Sequence, residues 1–249
     1  MRNGSGYSGR RSSTPDIALP LIKNRNWGSI NTILFIDESL NDSGAAVFKN
    51  GKYQAQPNAA NIDIGLSLTL PASMAQIDKL VRYDQWVTEM ITAYTPDVVI
   101  GESHPFARGS MKTSTATLDV MAGIRYITML LCGKFRIPYA EFSTNHVKTI
   151  MCGAPAATKE MVQMILTGCG YELPQYDGKE GRINGNVCDA IAMGEVISRM
   201  QRIEVLRLEY ASSNDEGRPQ TKKRISLPKP GNPTITKTKP SSSKPETIS

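Results

Sequence analysis

Two strand-length apolar runs in this chain each end in a carboxylate: ILFID closes on Asp37 and VVIGE closes on Glu102. Runs of this length bounded by turn residues read as buried strands rather than helices. Strands that end in acids can bring those acids together at one edge of a sheet. A third acid, Asp189 in NVCDAIAMG, stands near the start of a helical pattern. A helix laid against that edge would add a third carboxylate to the first two.

The surrounding pattern is that of an α/β chain. After NTILFID (31–37), the segment AAVFKNGKYQA reads as a hairpin turning at Asn50-Gly51, a strong short hairpin signal. Ile62, Ile64, Leu66, Leu68 and Leu70 alternate as a further strand over 62–70. Ser73 and Gln76 form a capping box, opening a helix that runs to about residue 95 and is stopped by Pro96. A strand (97–102), a Ser/Thr/Gly-rich loop (103–114), a helix (115–134) and a strand (137–142) follow. Helices at about 144–151 and 158–169, a polar loop (171–185) and a last helix (186–209) complete the order βββαβαβαα(α). Hairpin strands followed by alternating strands and helices give an α/β three-layer architecture, a mixed five-stranded sheet flanked by helices.

Clustered, unneutralised acids are costly unless a cation occupies the site, and an all-oxygen set suits a hard ion such as Mg²⁺ or Mn²⁺. Two such ions, roughly 3.5–4 Å apart, clamp the attacking and leaving oxygens of a phosphodiester displacement. Each acid alone has an ordinary explanation. Asp37 fits a turn, and Asp189 fits a helix first turn favoured by the dipole. Glu102, directly after Val98-Val99-Ile100-Gly101, is harder to dismiss, because burial there requires a partner. Asn186 shares a helix face with Asp189, three residues on. Glu38 points to the opposite side of the strand from Asp37 and reads as a non-ligand.

Charge is unevenly spread. Of the net +6, residues 1–28 carry +4 and 213–249 carry +5, leaving 29–212 at −3. The two ends read as disordered basic arms (1–28 and 211–249) around one folded domain (29–210), arms able to meet polyanions or simply to aid solubility. Cys132, Cys152, Cys169 and Cys188 lack CxxC spacing, and the two histidines, His104 and His146, form no HxH or HExxH pattern. Zinc peptidases and most histidine-based hydrolases are thereby excluded. No apolar run approaches the ~20 residues of a membrane helix, and no secretory h-region is present. A cytoplasmic location is expected, with an organelle as the alternative because the start is Ser/Arg-rich.

Four segments in order carry a resemblance: ILFIDESLNDSGAAVF, PDVVIGESHPF, NHVKTIMCGAPAATKEMVQMIL and NVCDAIAMGEVI. Over about residues 31–200 the chain resembles the RuvC family of Holliday junction resolvases, most of all its bacteriophage-type members. The resemblance implies a ribonuclease H-like fold and a homodimer that nicks two opposed strands of a four-way DNA junction symmetrically. It implies catalytic and metal-ligand roles for Asp37, Glu102 and Asp189, with two Mg²⁺ per site, Mn²⁺ substituting, and Asn186 where the family usually has Asp or His. Lys148 and Lys159 match basic positions near the scissile phosphate. Phe106 matches an aromatic that stacks on opened bases, with Arg108 and Lys112, like Lys148, against the DNA backbone. Glu38-Ser39 departs from the family's Pro-Gly. The competing readings are another nuclease of this fold acting on branched DNA or RNA–DNA hybrids, and a non-catalytic junction-binding protein. An actin-like kinase would need a second domain that ~180 folded residues cannot supply.

Overall fold

The computed structural model describes residues 26–54, 66–103, 115–176 and 179–216. Strands β1 (Thr32–Asp37) and β2 (Asp42–Lys49) form an antiparallel hairpin, continued by β3 (Lys52–Tyr53) across the Asn50-Gly51 turn. Asn50 and Gly51 both have positive φ, the conformation that makes Asn-Gly a hairpin signal. Strand β4 (Ser67–Thr69) pairs with the first residues of β2, and β3 pairs with the last. Among the described residues the sheet therefore holds six strands rather than the expected five, although β3 and β4 share one edge position. Helix α1 (Gln76–Tyr94) leads to β5 (Val98–Glu102), parallel to β1. Helix α2 (Thr115–Phe135) leads to β6 (Tyr139–Phe142), parallel to β5. The order across the sheet is β3-β2-β1-β5-β6.

Helices α3 (Thr144–Cys152), α4 (Lys159–Gly168) and α5 (Gly185–Glu216) follow. A small hairpin, β7 (Gln175–Tyr176) and β8 (Lys179–Ile183), interrupts what the sequence presented as a plain polar loop. The expected capping box also differs. Helix α1 starts from Ala75, with no side-chain cap bond. Thr95, in the left-handed conformation, ends that helix ahead of Pro96.

Side-chain alternation splits the core into two layers. Ile33, Phe35, Val98 and Ile100 face one way, onto Val162, Leu166, Ile191 and Ile197 of α4 and α5. Leu34, Ile36 and Val99 face the other, onto Tyr83, Val87, Met90 and Ile124 of α1 and α2. The folded part begins before the expected residue 29. Trp27 is packed in the first of these layers, and Gln201 Nε2 donates to the carbonyls of Trp27 and Ile30 at 2.6 and 2.9 Å. At the other end α5 continues to Glu216.

Two glycines let α5 lie close on the sheet. A Cβ on Gly44 would stand 2.3 Å from the Asn186 carbonyl carbon, and one on Gly194 would stand 2.1 Å from the Phe48 ring. Asn184, buried just before α5, caps the helix by accepting from the Val187 amide at 3.2 Å. Gly44→Ala should push back the start of α5, lowering stability by about 1–3 kcal/mol or more. Thermal denaturation measures that loss, and an unchanged melting temperature would mean that α5 is not seated through Gly44.

Candidate active site

Asp37 and Glu102 are brought together by strand register. Ile36 pairs with Gly101, so the next residues, Asp37 and Glu102, end neighbouring parallel strands. Both share the parity of Phe35 and Ile100, so both face the α4–α5 layer. Their carboxyl groups stand side by side, near enough for Glu102 to act on Asp37 through hydrogen bonding and charge. Asp37 is only 8 % exposed. Burial, then the bond to Glu102 and the charges of Glu102 and Asp189, push its carboxyl well above the usual carboxylate range, against a smaller opposing pull from Lys159. Thr144, at the start of α3, donates its hydroxyl to Glu102 Oε1.

Asp189 arrives from α5. It lies in the second turn, and no acid occupies the first, so dipole stabilisation of a first-turn carboxylate does not account for it. Burial raises its carboxyl above the ordinary range, while Lys159 and, less strongly, Lys148 pull it down. Lys159 Nζ stands 2.9 Å from Asp189 Oδ2 and donates to Asn186 Oδ1 at 3.0 Å. Asn186 Nδ2 in turn donates to the Asp42 carbonyl at 2.6 Å. Asp37, Glu102, Asp189, Asn186 and Lys159 are thus gathered at the carboxyl ends of β1 and β5, with Lys148 near enough for its charge to reach Asp189. Among the described residues, no three His, Cys, Asp or Glu side chains close on a single ion as they stand. The donor set nonetheless suits a hard cation, being all oxygen, with two carboxyl groups at adjacent strand ends. Phe106, Arg108 and Lys112 lie outside the described residues.

Two features here carried no clear signal in the sequence. Thr144 is one: nothing in SER-THR spacing marks a hydroxyl as a partner of a distant Glu. The other is the environment of Glu38, which faces the α1–α2 layer and is 2 % exposed. Neither of its carboxylate oxygens has a well-placed hydrogen-bond partner. The Thr128 hydroxyl lies near enough to favour the charged form, but it is bonded to Tyr83 Oη at 2.9 Å and to the Ile124 carbonyl at 3.3 Å. Burial dominates and pushes Glu38 up to about 7.

The chain is 29% identical over 122 residues to the crossover junction endodeoxyribonuclease RuvC of Dehalococcoides mccartyi, covering 49% of this chain and 71% of that protein. It is 29% identical over 129 residues to the RuvC of Thermomicrobium roseum, covering 50% of this chain and 76% of that one. Over about half of its length the chain is similar to RuvC. No protein-family model matches it. Among solved structures, the yeast mitochondrial Holliday junction resolvase Ydc2 superposes with a TM-score of 0.50 at 9% identity, over 74% of this chain and 85% of that one. That likeness bears on the fold: a mixed sheet between helical layers, the ribonuclease H-like architecture. Among the described residues, no helix is long and apolar enough to cross a membrane.

The shift at Glu38 has a definite sign. Its folded pKa is raised, so the stability it contributes is full below about 4.5 and is lost as pH rises through about 7. Glu38→Gln should remove that loss, worth about 3 kcal/mol on the alkaline side. Chemical denaturation at pH 5 and pH 8.5 compares the two proteins, and an equal pH dependence in both would overturn this account.

Proposed function

We propose that the protein is a metal-dependent, structure-selective endodeoxyribonuclease that resolves four-way DNA junctions by paired, symmetric nicks. One observation carries this reading: Asp37 and Glu102 end adjacent strands and interact, with Asp189 and its partner Lys159 beside them, in a chain similar to RuvC.

Asp37 and Glu102 would hold a divalent cation, with Asp189 and Asn186 as the further oxygen donors. The ion is Mg²⁺, with Mn²⁺ substituting, and two serve each working site. Bound there, the metal supplies an activated water and neutralises charge on the phosphodiester. Thr144 steadies Glu102 by its hydroxyl bond. The Lys148 and Lys159 ammonium groups face charge developing on the phosphate oxygens, where a prearranged cation acts most strongly. Phe106 is assigned to stacking on opened bases, and Arg108 and Lys112 to backbone phosphates, from their places in the sequence.

Symmetric cutting calls for two copies. The inner face of α2 buries Ile124, Thr128 and Leu131. The outer face exposes Tyr126, Met129 and Leu130, the last 73 % exposed, and leaves open space above Gly123 and Gly133. An apolar helix face at three- and four-residue spacing, with small residues that permit close approach, suits a twofold interface. Leu130→Glu should convert a dimer into a monomer in sedimentation velocity. A wild-type monomer at all concentrations would remove this assignment.

The activity is tested on a mobile four-way junction with Mg²⁺ or Mn²⁺, beside linear duplex and an RNA–DNA hybrid. Paired nicks on the junction, lost in Asp37→Asn, are expected. Preferential cutting of the hybrid would redirect the substrate assignment, and tight junction binding without any cleavage would overturn the enzymatic reading.

A further inference from the structure

The contacts of Lys159 have a consequence for how the site takes up metal. Its ammonium bridges Asp189 Oδ2 at 2.9 Å and Asn186 Oδ1 at 3.0 Å. The Asn186 amide is held at both ends, since its Nδ2 donates to the Asp42 carbonyl at 2.6 Å. Only the NH₂ end can donate to that carbonyl, so the oxygen end is turned toward the lysine. An aspartate at 186 could not make this pair of contacts, because it has no donor for Asp42.

Placement of the lysine is otherwise unfavourable. Lys159 is the first residue of α4, where the helix dipole disfavours a cation. The other side of the contact is shaped for it: Gly185 lies under the lysine stem, and a Cβ there would come within 3.4 Å of Lys159 Cδ. Asp189 is thereby engaged by a fixed positive charge, which matches the finding that no three acidic, histidine or cysteine side chains among the described residues close on one ion.

We propose that Lys159, clamped by Asn186, is a resident cation on Asp189, so that the free protein takes up one divalent ion at Asp37 and Glu102. A second ion enters at Asp189 only when a DNA phosphate draws the ammonium away. The inference rests on the metal-dependent reading above and specifies its order of assembly. A like charge a few ångströms from an incoming cation opposes its binding, and a phosphate is the natural competitor for the ammonium. The site would then remain half-loaded until substrate is in place.

The test is a Mn²⁺ titration of the metal-free, full-length protein, followed by calorimetry and by the electron paramagnetic resonance signal of free Mn²⁺. Wild type should bind one ion per chain. Lys159→Met should bind two, its second ion about ten-fold or more tighter than any second ion of wild type. Lys159→Arg, which keeps the charge, should remain at one. Lys159 is half exposed, so folding should survive these changes. Two ions of similar affinity in wild type, or one ion in Lys159→Met, would overturn the proposal while leaving metal dependence intact. Absence of any Mn²⁺ uptake that Asp37→Asn removes would bring down the metal-dependent reading and this inference together.

Discussion

The seating of α5 on the β1–β2 hairpin is the constraint on which the rest of the site depends. Gly44 and Gly194 remove the two side chains that would hold the helix off the sheet. With the helix that close, Asn186 reaches the Asp42 carbonyl and Asp189 reaches the edge where Asp37 and Glu102 end. Strand register fixes two of the three acids, and a backbone-to-backbone approach fixes the third. Neither contact is available to a bulkier residue without moving the helix.

That geometry places negative charge where water is scarce. Burial and mutual repulsion raise Asp37 and Asp189, and burial alone dominates at Glu38 on the opposite face of the same strand. Carboxylates whose folded pKa is raised lose their stabilising contribution as pH rises, so these residues weaken the fold near neutrality. The apolar layers on both faces of the sheet, with Phe35, Ile36, Val99 and Ile100 wholly buried, supply the cohesion that offsets this. Lys159 reduces the same cost at Asp189 through an ion pair of good geometry.

Much of this was legible in the sequence, for physical reasons that differ by element. The β1 and β5 runs were visible because buried strands are continuously apolar, and the Asn50-Gly51 turn because positive φ restricts residue choice. The acids could be read as a set only through their order along the elements. The β7–β8 hairpin was missed because KEGRI carries no apolar alternation. Trp27 looked like part of a polar arm, since its anchoring comes from Gln201, far away in the chain. The Ser73 cap failed because the helix begins at Gln76 with Ala75 as its N-cap, leaving Ser73 two residues ahead of the capping position. No local pattern announces that Asn186 will be locked between Asp42 and Lys159, since both partners are distant in sequence.

The contacts of α5 also set a schedule for synthesis. Gln201 holds the carbonyls of Trp27 and Ile30, and Asn186 holds that of Asp42, so the last helix ties down the first strands. Asp37 and Glu102 leave the ribosome early, but the helix that brings Asp189 is made after the whole sheet. Long-range closure of this kind is slow, and it leaves a partly made chain without its third carboxylate. A nascent chain therefore lacks the complete acidic cluster until nearly all of the domain has been made.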